Sequence, residues 1–463
     1  MPPSASGPGS RTVLWFRRDL RVQDHPALVR AAADGAHVVP LFVLDPALLE
    51  PAGEPRRAWL ARSLAALDAT LQSSGGHLVV RTGKPEDVVP EVAREAGAEQ
   101  VFVTADAGPY GRARDARVAR ALEDGGRRLR AVGSPYAVGP GSLLTGGGTP
   151  YQVFTPFSRA WLEHGWPEPA GRPRPHWADA AGDGTGISVP DQSLGGVEPG
   201  EAAARRRWRE FLEDGLADYA DRRDRPDLFG TSQLSAALKF GEIHPRTLLH
   251  DLREVSSRRP TLAAGAEAFR AELCWREFYA DVLWHRPETA REYLRPQYAR
   301  MRYDEPGAAF EAWTQGRTGF PLVDAGMRQL LADAWMHNRV RMLVASFLVK
   351  DLHVEWQHGA RWFMQHLRDG DLASNQHGWQ WVAGCGTDAA PYFRVFNPVT
   401  QGKKFDPDGA YVRRYVPELA HLPGGAAHEP WKHPEGYAHG YPEPVVDHGA
   451  ERVEALSRYD EVR

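Results

Sequence analysis

Cysteine is nearly absent. Only Cys274 and Cys385 occur in 463 residues and they form no C-x-x-C, so a zinc site, a disulfide framework and thiol redox chemistry have no foundation here. A reducing, cytoplasmic setting is therefore expected. Neither sign of charge is in excess: 56 Lys and Arg stand against 60 Asp and Glu, a net of −4, so a nucleic-acid partner would require positive charge gathered on one face. No uncharged run approaches the roughly 20 residues that span a bilayer, and the Pro/Gly/Ser-rich start from Met1 to Ser10 has no apolar centre, so a soluble protein is expected. No G-x-G-x-x-G follows the first apolar run, which leaves a nicotinamide site without its glycine fingerprint, and no internal repeat occurs.

What is present is an ordinary globular composition, 42% hydrophobic and 25% charged, in a chain long enough for two or three domains. Tryptophan is the exception: fifteen indoles suggest a use beyond packing. Short β-rich apolar runs at 12–16, 37–44, 77–81, 100–104 and 128–132 are each followed by helical signals. Between the second and third, Leu60, Leu64, Leu67 and Leu71 share one helical face. This pattern predicts a doubly wound parallel-sheet α/β domain, Rossmann-like, with ligands at the carboxyl ends of the strands. Residues 166–200 hold six Pro and seven Gly without a sustained period and read as a surface connector. Beyond Glu201 long helical patterns dominate, as at 265–283 and 321–352, so the second domain should be all α. The expected organisation is 11–133 α/β, 134–204 linker and 205–463 helical.

Three constellations carry chemistry. Phe269, Glu272, Trp275, Arg276 and Tyr279 recur at three, three, one and three, placing a carboxylate, a guanidinium and an indole on one helical face. An amphipathic helix closed by an internal ion pair accounts for that face equally well. Asn338, Arg341, Met342 and Ala345 repeat the geometry, and two such faces in one helical domain suggest a shared cavity. The third is Asp369-Gly370-Asp371 with Asn375, Trp379 and Trp381 beyond it, although such acidic loops also serve as plain turns or cation sites.

The segments TVLWFRRDLRVQDHPAL (12–28), GTSQLSAALKFGEIHPR (230–246), CWREFY (274–279), GFPLVDAGMRQL (319–330), WMHNRVRM (335–342) and DGDLASNQHGWQWVAGCGTDAAPYFRVFNP (369–398) occur in that order. Together they resemble the photolyase/cryptochrome family, closest to the bacterial class I cyclobutane pyrimidine dimer photolyases, from about residue 11 to the end. The resemblance implies an α/β antenna domain, a linker and a helical domain that holds FAD beneath a DNA-facing cavity. By matching positions it implies that Tyr219, Thr231, Ser232, Leu234 and Ser235 bind the FAD phosphate region. Hydroxyls and backbone N–H groups at a helix start suit an anion, and an ordinary helix cap is the alternative for those residues. Gln233 stands where relatives often have Arg, so one phosphate contact is missing. Phe269, Glu272, Arg276, Asn338, Arg341, Asp369 and Asp371 are implied to complete the flavin and ribose site. Asn375 would face the reactive ring nitrogen as a neutral donor and acceptor.

The same resemblance makes Trp275 and Trp381 the walls for a flipped-out dimer. Glu272 and Asn338 would be its hydrogen-bond partners, and Met342 would line the other side. The related (6-4) enzymes use histidines in this cavity, where WMHNRVRM offers Asn and Met. Arg223, Arg339 and Arg394, with Lys403 and Lys404 behind them, would grip DNA phosphates, a solvated face being the alternative for each cation alone. Trp379, Trp356 and Tyr303 match the family's electron relay. Relatives usually have Trp at the outer position, and oxidising Tyr303 requires loss of a phenolic proton with an ordinary pKa of about 10, so photoreduction should be slower or routed elsewhere. Trp313, Trp335 and Trp362 are expected in the core. In DAGPYGRARD (106–115), Tyr110 and Gly111 replace the Asn and Glu of folate-type enzymes, which favours 8-hydroxy-5-deazaflavin over methenyltetrahydrofolate as a second chromophore, a chain with no antenna pigment being the alternative. The expected function is light-driven repair of pyrimidine dimers by reduced FAD, in a monomer without an obligate protein partner and without a metal. A cryptochrome-like receptor, often with a longer tail and another residue opposite the flavin nitrogen, and a generic flavin oxidoreductase are the alternatives.

Overall fold

A computed structural model describes residues 9–178, 190–387 and 393–462. Parts of two segments read from the sequence, 179–189 of the connector and 388–392 of the last motif, lie outside the described residues.

Five strands form the expected parallel sheet: β1 (Arg11–Phe16), β2 (His37–Leu44), β3 (Val79–Thr82), β4 (Gln100–Val103) and β5 (Arg128–Ala131). Their order is β3-β2-β1-β4-β5, with Arg11 beside His37 and Thr12 beside Gln100 fixing the register of the central strand. Alternate residues of β1 feed different cores: Leu14 and Phe16 pack on one face, Val13 and Trp15 on the other. A strand buried on both faces must read as an unbroken apolar run, which is why these strands were visible in the sequence. The helix α1 (Glu54–Gln72) covers one face with Leu64, Leu67 and Leu71 fully buried, Leu60 lying at its margin.

The connector does more than cross the surface. Within it, β6 (His176–Trp177) pairs in parallel with His37 and Val38, using the start of the β2 edge that β3 leaves open. Before it, α2 (Phe154–His164) packs Phe157 and Trp161 into the helical body against Phe278 and Trp208. A buried carboxylate ties this segment down: Glu277 accepts from the backbone N–H groups of Ala137 and Val138 and from Trp161 Nε1 at 2.7 Å.

The helices that position the site are α3 (Ser235–Phe240), α4 (Ala263–His285), α5 (Pro321–Asp333), α6 (Asn338–Lys350), α7 (Trp356–His366) and α8 (Leu372–Ala383). The expected continuous 321–352 helix is interrupted: Ala334 takes φ +54° after α5, and the His337 ring then caps α6 by accepting from Arg339 N at 3.2 Å. This break turns Asn338 and Arg339 into the first residues of a new helix. The loop after β1 joins the two halves, with Asp24 accepting from Arg246 and Thr247 and Arg21 donating to the Gly241 carbonyl at 2.9 Å. Among the described residues no helix is long and apolar enough to cross a membrane.

Candidate functional site

The Asp-Gly-Asp loop lies at the start of α8 because Asp371 is its N-cap, accepting from Ser374 N at 3.1 Å. Its other oxygen pairs with Arg18 of the β1 loop at 2.5 Å, so both halves of the chain meet at this carboxylate. Burial alone would raise its pKa; Arg18 and Arg276 outweigh that and hold it well below the usual carboxylate range. Asp369 is likewise buried and kept ionised by Arg341, while its Oδ2 accepts from Arg341 at 2.8 Å and from Ser235 Oγ at 2.6 Å. Its Oδ1 is buried and meets no partner among the described residues. Such an atom is costly unless a ligand N–H or O–H reaches it.

Around these acids lie groups that fit a nucleotide cofactor. Arg276 donates to the carbonyls of Pro135 and Leu238 and sits 4.4 Å over the Tyr136 ring. Thr231 and Ser232 are half-buried and Ser235 is exposed, whereas Leu234 is buried as the N-cap of α3. Gln233 takes φ +49° and accepts from Arg368 at 3.4 Å, so a protein contact occupies the side chain where relatives often carry Arg. Asn375 donates both amide hydrogens inward, to Ala360 O at 3.0 Å and to Gln376 Oε1 at 2.8 Å. Its oxygen is the polar atom left for a ligand. The residues present therefore fit FAD. Tyr219 and Phe269 stand further back: both are buried in an aromatic cluster with Trp208 and Phe211.

On α4, Trp275 is half-buried and stacks on Phe154 of α2, ring centroids 3.7 Å apart and planes within 3°. One face of this indole is thus already covered by protein. Glu272, one turn earlier, pairs with Arg223 at 2.5 Å; burial pushes its carboxyl up, opposed by Arg223. Arg339 grips Asp224 with two hydrogen bonds, the shorter 2.7 Å, and lies 4.4 Å over Phe405. Asn338 is exposed, and Met342 and Trp381 pack partly buried against the helical core. Arg394 is exposed with its guanidinium 5.9 Å over Trp381, and Lys404 lies near Phe405, whereas Lys403 is paired with Glu429. His337 and His377 are each pushed down to about 4 by burial and stay neutral.

The indoles of Trp379 and Trp356 are 3% and 0% exposed. Gly359 sets their relation: it follows Trp356 by one turn of α7, and a Cβ built on it would lie 2.1 Å from Trp379 Cη2. Only a glycine lets the Trp379 indole rest on the helix that begins with Trp356. Trp313 is fully buried and its N–H donates to the Val344 carbonyl, as a core residue should; Trp335 and Trp362 are only partly buried.

Comparison with known proteins adds two matching family models, the FAD binding domain of DNA photolyase over residues 269–461 and DNA photolyase over residues 12–175. The chain is 43% identical to the deoxyribodipyrimidine photo-lyase of Streptomyces griseus, over 98% of this chain and 99% of that one. It is 40% identical to that of Halobacterium salinarum, over 97% and 99%. The chain belongs to the DNA photolyase family. Among solved members of the photolyase and cryptochrome group, a class III photolyase from Agrobacterium tumefaciens superposes with a TM-score of 0.91 at 37% identity, covering 100% of this chain and 99% of that one. A Synechocystis cryptochrome gives 0.88 at 26% identity, over 99% and 100%.

Seen as a family member, the chain brings its Asp369, Arg341 and Ser235 into direct contact, while Asp371 pairs with Arg18. Sequence reasoning missed Arg18, which sits inside the RRDLR segment quoted for the resemblance but completes the site from the other domain. It missed Phe154, the stacking partner of Trp275, because that residue falls within the expected linker. It also missed Phe229, 90% exposed beside Arg414 on the loop that follows Arg223.

Proposed function

We propose that this chain is a light-dependent lyase that splits cyclobutane pyrimidine dimers in DNA, with FAD as its cofactor. One arrangement carries this reading: the buried, partnerless Asp369 Oδ1 at the foot of α8, the helix bearing Asn375, Trp379 and Trp381, packed against α4 with Glu272 and Trp275. Arg276, Arg341, Asp369 and Asp371 would hold the flavin and ribose, and Thr231, Ser232, Leu234 and Ser235 the phosphates, with Tyr219 and Phe269 supporting them. When bound and reduced, FAD would supply the photoexcited electron needed to open the cyclobutane ring.

The protein's own groups then have defined tasks. Trp275 and Trp381 present flat apolar surfaces to bases taken out of the stack, with Met342 beside them. Glu272 keeps a proton more readily than an exposed glutamate, so with Asn338 it can donate to pyrimidine carbonyls. Asn375 would offer the flavin ring N–H the oxygen that its two internal hydrogen bonds leave over. Arg223, Arg339 and Arg394 grip phosphates, the first two by exchanging their present carboxylate partners for DNA. Residues 11–133 form the antenna domain, 134–204 the linker and 205–463 the catalytic domain.

The second chromophore we assign is 8-hydroxy-5-deazaflavin. Tyr110 donates to Asp45 at 2.5 Å, and a Cβ at Gly111 would fall 2.1 Å from the Asp106 carboxyl carbon, so a glutamate there would have to displace a carboxylate that Arg114 holds. Incubating the FAD-loaded protein with ultraviolet-damaged duplex DNA tests the main reading. Dimers should disappear under blue light and persist in the dark, and equal dimer counts in both arms would refute it.

A further inference from the structure

Between Trp356 and Tyr303 the structure inserts a residue that the aligned relay does not include. Tyr293 is 4% exposed, with its ring centroid 6.0 Å from Trp356 in an edge-on contact and 6.5 Å from Tyr303. Its hydroxyl donates to Glu355 Oε1 at 2.7 Å, and the Tyr303 ring lies beside it. Since Tyr293 gives its own proton to Glu355, its oxygen keeps only acceptor capacity toward the neighbouring Tyr303. Glu355 is the N-cap of α7, immediately before Trp356, so acid, phenol and indole form one compact group.

The proton inventory along the relay is uneven. The indole N–H groups of Trp379 and Trp356 are buried and meet no acceptor among the described residues. An oxidised indole there keeps its proton and remains a strongly oxidising cation. Burial pushes both phenols well above their ordinary pKa, so neither is ionised in advance and each can lose an electron only as its proton leaves. Tyr293 alone of the two is hydrogen-bonded to a carboxylate that can take it.

We propose that Tyr293, with Glu355 as its proton acceptor, is the first residue of the relay to hold the oxidising equivalent as a neutral radical. The proposal rests on Trp379 and Trp356 being the inner relay. An electron passes from the Tyr293 phenol to the Trp356 radical cation while the phenolic proton moves to the Glu355 carboxylate. The products are neutral Trp356, a neutral tyrosyl radical and a carboxylic acid, so charge and atoms balance. The Tyr303 hydroxyl can then pass a hydrogen atom to the Tyr293 oxygen, moving the radical toward the partly exposed end, where an external thiol reduces it. Tyr303 is thus the second phenol of the chain, reached through Tyr293.

Flash excitation of the full chain loaded with oxidised FAD tests this by following tryptophan and tyrosyl radical absorption. In the parent the tryptophan signal should give way to a tyrosyl one. In Tyr293→Phe and in Glu355→Gln the tryptophan radical should live roughly tenfold longer and the tyrosyl yield fall by a similar factor, the rate equivalent of losing one proton-coupled step. Glu355→Asp should restore part of the yield, and Tyr303→Phe should keep it. Glu355→Gln leaves both rings in place, so it decides the matter if Tyr293→Phe folds poorly. A parental lifetime and yield in Tyr293→Phe and Glu355→Gln, with Tyr303→Phe losing the signal, would overturn the proposal. Trp379→Phe separates the two readings: if it too leaves photoreduction intact, the relay itself is misassigned.

Discussion

Asn375 shows how much one neutral side chain decides. Both of its amide hydrogens are committed to acceptors, Ala360 O and Gln376 Oε1, so replacing it with Asp would turn carboxylate oxygens against two lone-pair-bearing atoms. The new carboxyl would be forced toward its protonated form, and any charge it kept would oppose an electron-rich cofactor. Asn375→Asp should therefore keep FAD but hold it oxidised in air, and repair should return when the protein is chemically reduced. A purified mutant that stays reduced as long as the parent would make Asn375 a merely structural amide. Trp275 poses a different question, because Phe154 already covers one face of its indole. The other face is the one available to a base, and stacking is worth about 1–3 kcal/mol per base, so Trp275→Ala should weaken binding to dimer-containing duplex by roughly tenfold or more. Trp275→Phe, which keeps the stack, should lose less. Unchanged affinity for damaged DNA in the alanine variant would remove Trp275 from the site.

At the scale of elements, Gly359 is where local sequence and function are most tightly coupled. Adding a methyl group would place it 2.1 Å from the Trp379 ring and 2.6 Å from Leu348 Cδ2, so the indole must shift. Overpacking of this kind costs about 1–3 kcal/mol. Gly359→Ala should lower the melting temperature and slow the first step of photoreduction, both visible in one preparation by calorimetry and flash spectroscopy; a parental rate would show that Trp379 tolerates the displacement. Elements were legible where one rule governed them. The parallel strands announced themselves because both faces are buried, and α1 because Leu64, Leu67 and Leu71 repeat at helical spacing. The break between α5 and α6 was not legible, since Ala334 at φ +54° is neither Gly nor Pro and His337 is an unusual cap. Nor was β6, two residues long and held by a strand edge, the Ser74 hydroxyl and a core far away in sequence. Of the site, the motif-borne acids and indoles were readable, whereas Tyr293, Phe154 and Glu355 owe their places to tertiary contacts that no local pattern encodes.

Across the whole molecule, acids outnumber bases to a net charge of −4, and Arg223 and Arg339, the proposed phosphate contacts, are held by Glu272 and Asp224 in the free chain. The same economy of charge appears where the two halves join. Glu242, just after α3, is buried and its Oε1 accepts from Trp59 Nε1 and Ser63 Oγ of α1 and from Gly200 N, so one carboxyl links the α/β domain, the connector and the helical body. Burial pushes its pKa from 4.5 up to about 7, against the pull of those three hydrogen bonds. A carboxyl whose folded pKa is raised binds its proton more tightly in the folded than in the unfolded chain. Its stabilising contribution is therefore complete below pH 4.5 and is lost as pH rises through 7, a change of about 3 kcal/mol. Glu242→Gln keeps the accepting oxygen and removes the titration. Relative to the parent, the variant should gain stability between pH 5 and pH 8, so that the difference in melting temperature between the two proteins shifts by a few degrees in its favour across that window. A difference that stays constant from pH 5 to pH 8 would mean that Glu242 is ionised in the folded protein throughout, and that another carboxyl governs how the domains hold together.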